Sequence, residues 1–209
     1  MPGLDLLIPF AVATAVFAYF PGPALLYTAA QTLARGRRAG FMAALGIHLG
    51  CYVHVFAAAL GLSAVLQYVP ELYLALKLAG AAYLVWLGIS MWRQEASASG
   101  AALLPAKTTR RALLESMFVE ILNPKVALFF LAFLPQFVDP AAGLPIALQF
   151  LVLGVIVNFA FTSADVITVL LADHIVGYLK RSGRGTRIAQ RLGGGVLVGL
   201  GVRLALVRE

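Results

Sequence analysis

The chain has 209 residues, of which 61% are hydrophobic and only 12% charged, with a formal net charge of +7. Soluble domains carry about a quarter charged residues, so this composition excludes one and leaves an integral membrane protein, with room for about six spans of roughly 20 residues and no separate soluble domain. The single cysteine, Cys51, excludes an intramolecular disulfide and any CxxC redox or metal pair.

The first predicted span covers 4–34, and no charged residue interrupts Leu6 to Ala34. Asp5 stands where a secretory signal would place Lys or Arg, and no A-x-A site follows the apolar region before FPGP, so a retained helix is expected. In the middle of this run Pro21, Gly22 and Pro23 place three helix breakers. The second span, 39–67, carries the GxxxG pair Gly46 and Gly50 together with His48, Cys51 and His54. The third, 71–92, is flanked by Tyr68, Tyr73, Trp86 and Trp92, which read as interfacial anchors. A cytoplasmic linker, 96–105, is then expected to separate two halves of a single transmembrane domain, 1–95 and 106–209.

The fourth span, 109–138, starts among Arg110, Arg111 and Glu115, passes Glu120 and breaks at Asn123-Pro124-Lys125 before turning strongly apolar. The fifth, 145–176, is divided by Asp165, and the sixth, 188–207, contains a second GxxxG pair, Gly195 and Gly199. Such pairs allow close helix contact in lipid, used either for packing within the chain or for a homodimer.

Basic residues fix the expected orientation. Arg35, Arg37 and Arg38 lie in loop one, Arg93, Lys107, Arg110 and Arg111 around loop three, and Lys180, Arg181, Arg184, Arg187 and Arg191 around loop five. Loops two and four hold only Glu71 and Asp139, so the positive-inside rule predicts six spans with both termini periplasmic. The same division accounts for the pI near 9.9 without a basic face, which argues against nucleic acid as a partner.

The two breaks share a depth. Pro21 and Pro23 precede Arg35 by fourteen and twelve residues, while Asn123 to Lys125 follow Arg111 by twelve to fourteen. One proline would read as a simple kink. Two breaks opening the first helix of each three-helix half predict an all-α membrane protein built from two inverted repeats, its first and fourth helices broken at the bilayer midplane. Substrate would then bind between the breaks, at Pro21, Gly22, Pro23, Asn123, Pro124 and Lys125.

Ionisable groups inside a span cost at least about 2.5–3.5 kcal/mol and are functional candidates by default. Lys125 can pair with an acid or attract a substrate carboxylate, the alternative being snorkelling to the interface. Glu120 can receive an amino group or a proton, the alternative being interfacial exposure. Asp165 is the expected proton carrier, because a carboxylate enclosed in a low dielectric can load and release a proton. His48 and Cys51 are candidates for the cavity wall. His48 and His54, six residues apart, point to different helix faces and cannot share a metal, so no metal and no cofactor is expected. A membrane-embedded enzyme acting on a lipid or peptide is the alternative class, but no GxSxG, paired metal ligands or Cys–His arrangement supports it.

The stretches FPGPALLYTAAQTLARGRRAGFMAALGIHLG, AALGLSAVL and ILNPKVALFFLAFLPQFV resemble the two signatures of the LysE/RhtB family of bacterial amino-acid exporters, and RLGGGVLVGLGVRLAL is similar to its closing helix. The resemblance covers nearly the whole chain. It implies a multi-pass exporter of the bacterial inner membrane, driven by the proton-motive force, whose partners are an amino-acid-like substrate, protons and membrane lipids. Two positions depart from the pattern: Cys51 follows Gly50 where many members have an acid, and Glu120 stands where an uncharged polar residue is common.

Overall fold

The computed structural model describes residues 3–64 and 109–181 continuously, with individual helical positions between 75 and 93 and between 191 and 206. The linker 96–105, Glu71, Tyr68, Tyr73 and most of the third and sixth predicted spans lie outside the described residues. Every regular element among the described residues is a helix.

Among the described residues six α-helices can be followed end to end. α1 (Leu4–Tyr19) and α2 (Pro23–Arg35) form the first, bent pair, and α3 (Arg37–Phe56) continues into a π-helical stretch, Ala57–Leu62. α4 (Thr109–Ile121) and α5 (Pro124–Leu128) form the second pair, α5 running on through a π-helical Phe129–Phe133 and a 3-10 turn, Leu134–Phe137; α6 (Ile146–Arg181) closes the described core. Arg37–Leu62 and Ile146–Ala172 are each long and apolar enough to cross a membrane, and the two bent pairs bring the total to four if each counts as one crossing. Leu26, Leu60, Phe118, Leu122 and Phe159 are more than half exposed on the outside of this bundle. In lipid such side chains need no further cover.

Both breaks lie where the prolines dictate. α1 ends at Tyr19 and α2 restarts at Pro23 with a bend of 43°; α4 ends at Ile121 and α5 restarts at Pro124 with a bend of 41°. Proline at the first helical position loses nothing, since that amide would have no intrahelical partner. Asn123 caps α5 by accepting from the Lys125 amide at 3.1 Å. Gly36, at φ 83° and ψ 171°, turns the chain from α2 into α3. That conformation is close to glycine-only.

Glycines also set the approach of α3 to α4. A Cβ on Gly50 would lie 2.7 Å from the Met117 carbonyl oxygen and 3.1 Å from Glu120 Cβ, and one on Gly46 would run into Leu113 and Ser116. This GxxxG pair therefore packs within the chain. No described atom lies within 4 Å of the Cβ positions of Gly195 and Gly199.

The breaks divide the interior into two chemistries. On the α1 side, Phe10, Phe17, Phe129, Phe133 and Phe137 form a buried column, with neighbouring ring centroids 4.8 Å apart in the pairs Phe17–Phe129, Phe129–Phe133 and Phe133–Phe137. On the other side, α2 and α4 bury Thr28, Gln31, Thr32 and Ser116. Gln149 fastens the turn before α6, donating to the carbonyls of Asp139 and Leu144 and accepting from the Asp139 amide.

Candidate functional site

The site starts from carbonyls that the prolines leave without donors. In an unbroken helix Phe17 O would accept from the amide of residue 21, but Pro21 has none. The Phe20 carbonyl lies beyond the last helical residue, on an extended backbone. Lys125, from the other break, supplies the missing hydrogens: its Nζ donates to Phe17 O at 2.5 Å and to Phe20 O at 2.7 Å. The ammonium also lies 5.4, 5.7 and 5.8 Å from the ring centroids of Phe17, Phe20 and Phe161, within cation–π reach. A charge placed at the C-terminal end of α1 is further favoured by the helix dipole.

Gly22 makes this crossing fit. Its backbone is extended, a conformation open to any residue, but a Cβ there would stand 2.8 Å from Lys125 Cδ. Between the Lys125 stem and the neighbouring helices a small, partly open cavity remains, about 20 Å³ in volume and lined by Gly22, Glu120, Asn123, Lys125 and Asp165 with an apolar wall that includes Ile47 and Phe161. That is room for about one water molecule.

Two carboxylates line the same cavity, one from α6 and one from α4. Asp165, on α6 and 2% exposed, accepts from the Thr28 hydroxyl of α2 at 3.2 Å. Glu120, on α4 and 1% exposed, accepts from the Asn123 amide group at 3.0 Å. The Glu120 backbone carbonyl faces Pro124, four residues on, which cannot donate; it accepts instead from the Asn123 amide and from His54 Nε2, each at 3.0 Å. A carbonyl only accepts, so His54 carries its proton on Nε2.

The predicted residues sort clearly. Gly22, Asn123, Lys125, Glu120 and Asp165 converge on the cavity, while Pro21, Pro23 and Pro124 shape the breaks around it. Glu120 is buried inside the bundle and not exposed at the interface, which was the alternative for it, and Lys125 is anchored between the breaks, against the alternative of snorkelling. His48 and Cys51 do not line the cavity. His48 Nδ1 is 2.6 Å from the Thr162 hydroxyl and its ring packs edge-on to Tyr52 and Phe159. Cys51 is buried in the apolar core, yet within electrostatic reach of Glu120 and Asp165. Phe17, Phe20, Phe161 and Thr28 join the site without having been singled out from sequence, as does His54, weighed there only as a metal ligand.

Comparison with known proteins adds an independent line. The profile of the LysE type translocator family matches residues 15–208. An uncharacterized membrane protein of Pseudomonas aeruginosa is 37% identical over 194 residues, 88% of each chain. A leucine efflux protein of Enterobacter sp. (strain 638) is 30% identical over 194 residues, 88% of each chain, and one of Klebsiella pneumoniae is 29% identical over 196 residues, 90% of this chain and 89% of that one. No solved structure matches.

Proposed function

Because this chain belongs to the LysE type translocator family, we propose that it exports a small neutral amino acid, with leucine the first to test, by secondary-active proton antiport across the bacterial inner membrane. The observation that carries this reading is the cavity between two broken helices, in which Glu120, Lys125 and Asp165 meet an apolar wall. An amino acid carries one ammonium and one carboxylate on an otherwise small body. Lys125 has three N–H donors, and two are committed to Phe17 and Phe20. The third is free to receive the substrate carboxylate. Glu120 and Asp165 receive the ammonium, and the wall of Ala18, Leu25, Ile47, Val126 and Phe161 accepts an apolar side chain. The matching relatives named as leucine efflux proteins support that choice of side chain. The family also favours a transporter over the membrane-embedded enzyme.

Asp165 couples the proton in this scheme. It faces Thr28 of α2, so a proton arriving on its carboxylate changes what α6 offers to the second half-helix of the first break. Glu120 supplies from α4 an acid beside the position where the family pattern places one and this chain has Cys51. Six spans arranged as inverted repeats, with both termini periplasmic, complete the reading. It is supported by two bends of nearly equal angle, 43° and 41°, each ending in a proline-started helix. A cavity of about 20 Å³ is smaller than any amino acid, so loading requires α2 or α4 to move outward. The phenylalanine column closes the opposite side.

Efflux from proteoliposomes preloaded with labelled leucine tests this directly. An imposed proton gradient should accelerate efflux in the wild type and leave efflux by Asp165→Asn unaccelerated. Equal rates in wild-type and protein-free vesicles, for leucine and for a panel of other amino acids, would remove the proposal.

A further inference from the structure

We propose that the proline-freed end of α1 is a binding site for a primary ammonium group, and that Lys125 is its built-in ligand, acting as a positioning residue for the cavity. Three features converge on one point. Phe17 O and Phe20 O are two carbonyls without backbone donors, they lie at the negative end of a sixteen-residue helix, and the rings of Phe17, Phe20 and Phe161 surround the space before them. The hydrogen bonds select N–H donors and the rings select a cation. A primary ammonium satisfies both, whereas a hydroxyl lacks the charge and a quaternary ammonium lacks the hydrogens.

Lys125 enters this cage from the second break, its stem lying across Gly22. Its occupancy ties the two breaks together through one side chain and aims the remaining N–H. As far as that N–H receives a substrate carboxylate, the inference rests on the export reading above; the cage itself does not. A further consequence concerns orientation: with Lys125 in the cage, the substrate ammonium is excluded from the α1 carbonyls and left to Glu120 and Asp165.

Chemical rescue is the test. Lys125→Ala removes three carbons and the ammonium, the equivalent of propylammonium. Thermal unfolding of the purified variant in detergent should shift upward by a few degrees on adding propylammonium chloride, and not on adding 1-propanol or tetramethylammonium chloride at the same concentration. The wild type, its cage filled, should not respond. If the variant cannot be purified alone, the same salts are included throughout purification, and monodisperse protein should be recovered with propylammonium only. Equal shifts with all three additives, an equal shift in the wild type, or no shift and no recovery with propylammonium would overturn the proposal. None of these readouts involves transport, so the export reading stands or falls separately on efflux of the wild type.

Discussion

Lys125 shows how a single side chain can satisfy what two prolines undo. Pro21 strips Phe17 O of its donor, and burying an unsatisfied polar group costs roughly 1–3 kcal/mol. Lys125→Met keeps the length of the stem and removes the donors, so stability should fall by about 2–5 kcal/mol for the two carbonyls and the lost cation–π contacts, checked by unfolding in detergent. Gly22→Val should act through the same crossing: its Cβ would start 2.8 Å from Lys125 Cδ, and substrate affinity in efflux assays should weaken at least tenfold as the stem is displaced. Wild-type affinity in Gly22→Val would show that Lys125 does not need to lie across the break. Asp165→Asn retains an acceptor for Thr28 but cannot carry a proton. It should fold, bind substrate and lose acceleration by a pH gradient.

At the scale of elements, the breaks and the α3–α4 contact are what hold the cavity open between charged groups. Gly50→Val would place atoms against the Met117 carbonyl at the point where Glu120 also packs. Overpacking of this kind costs about 1–3 kcal/mol, and it should push α4 away from α3, lowering both thermal stability and efflux. Phe133→Ala should have a different signature. It removes a fully buried ring from the column, about 3–5 kcal/mol of packing, and opens the side that the aromatic residues close. Leucine should then leak from preloaded vesicles without a proton gradient; tight vesicles would remove the column as a seal.

The breaks were legible in the sequence because proline acts locally: FPGP and NPK interrupt a helix wherever they stand, and both do. The first, fourth and fifth predicted spans and the start of the second coincide with described helices to within about five residues, because charge-free runs of that length have few alternatives. Asp165 and Glu120 stood out as acids in apolar surroundings. The partner of Lys125 did not. It is a pair of backbone carbonyls more than a hundred residues away, and carbonyls carry no residue-type signal; only the absent amide of Pro21, four residues after Phe17, pointed to one of them. Likewise His48 and Cys51 stood out by residue type, but His48 follows Ile47 by one residue and is turned off the cavity face of α3, while Cys51 shares that face one turn further along and sits in the apolar core.

At the scale of the whole molecule, the described residues set an aromatic column on the α1 side against a polar stretch between α2 and α4, with the charged cavity at the joint. This is the asymmetry an exporter needs if one side opens on loading and the other on release. Topology follows the same division: reporters fused at Gly36 should signal cytoplasm and at Asp139 the outside, and a cytoplasmic signal at Asp139 would reverse the orientation of the aromatic seal. The central claim is that Glu120, Lys125 and Asp165 form one proton-coupled amino-acid site. The most direct measurement is gradient-driven efflux of labelled leucine from proteoliposomes with proton uptake recorded in the same vesicles. Wild-type protein should move protons against leucine, and Asp165→Asn should uncouple the two. Leucine efflux in Asp165→Asn with an unchanged dependence on the proton gradient would contradict it.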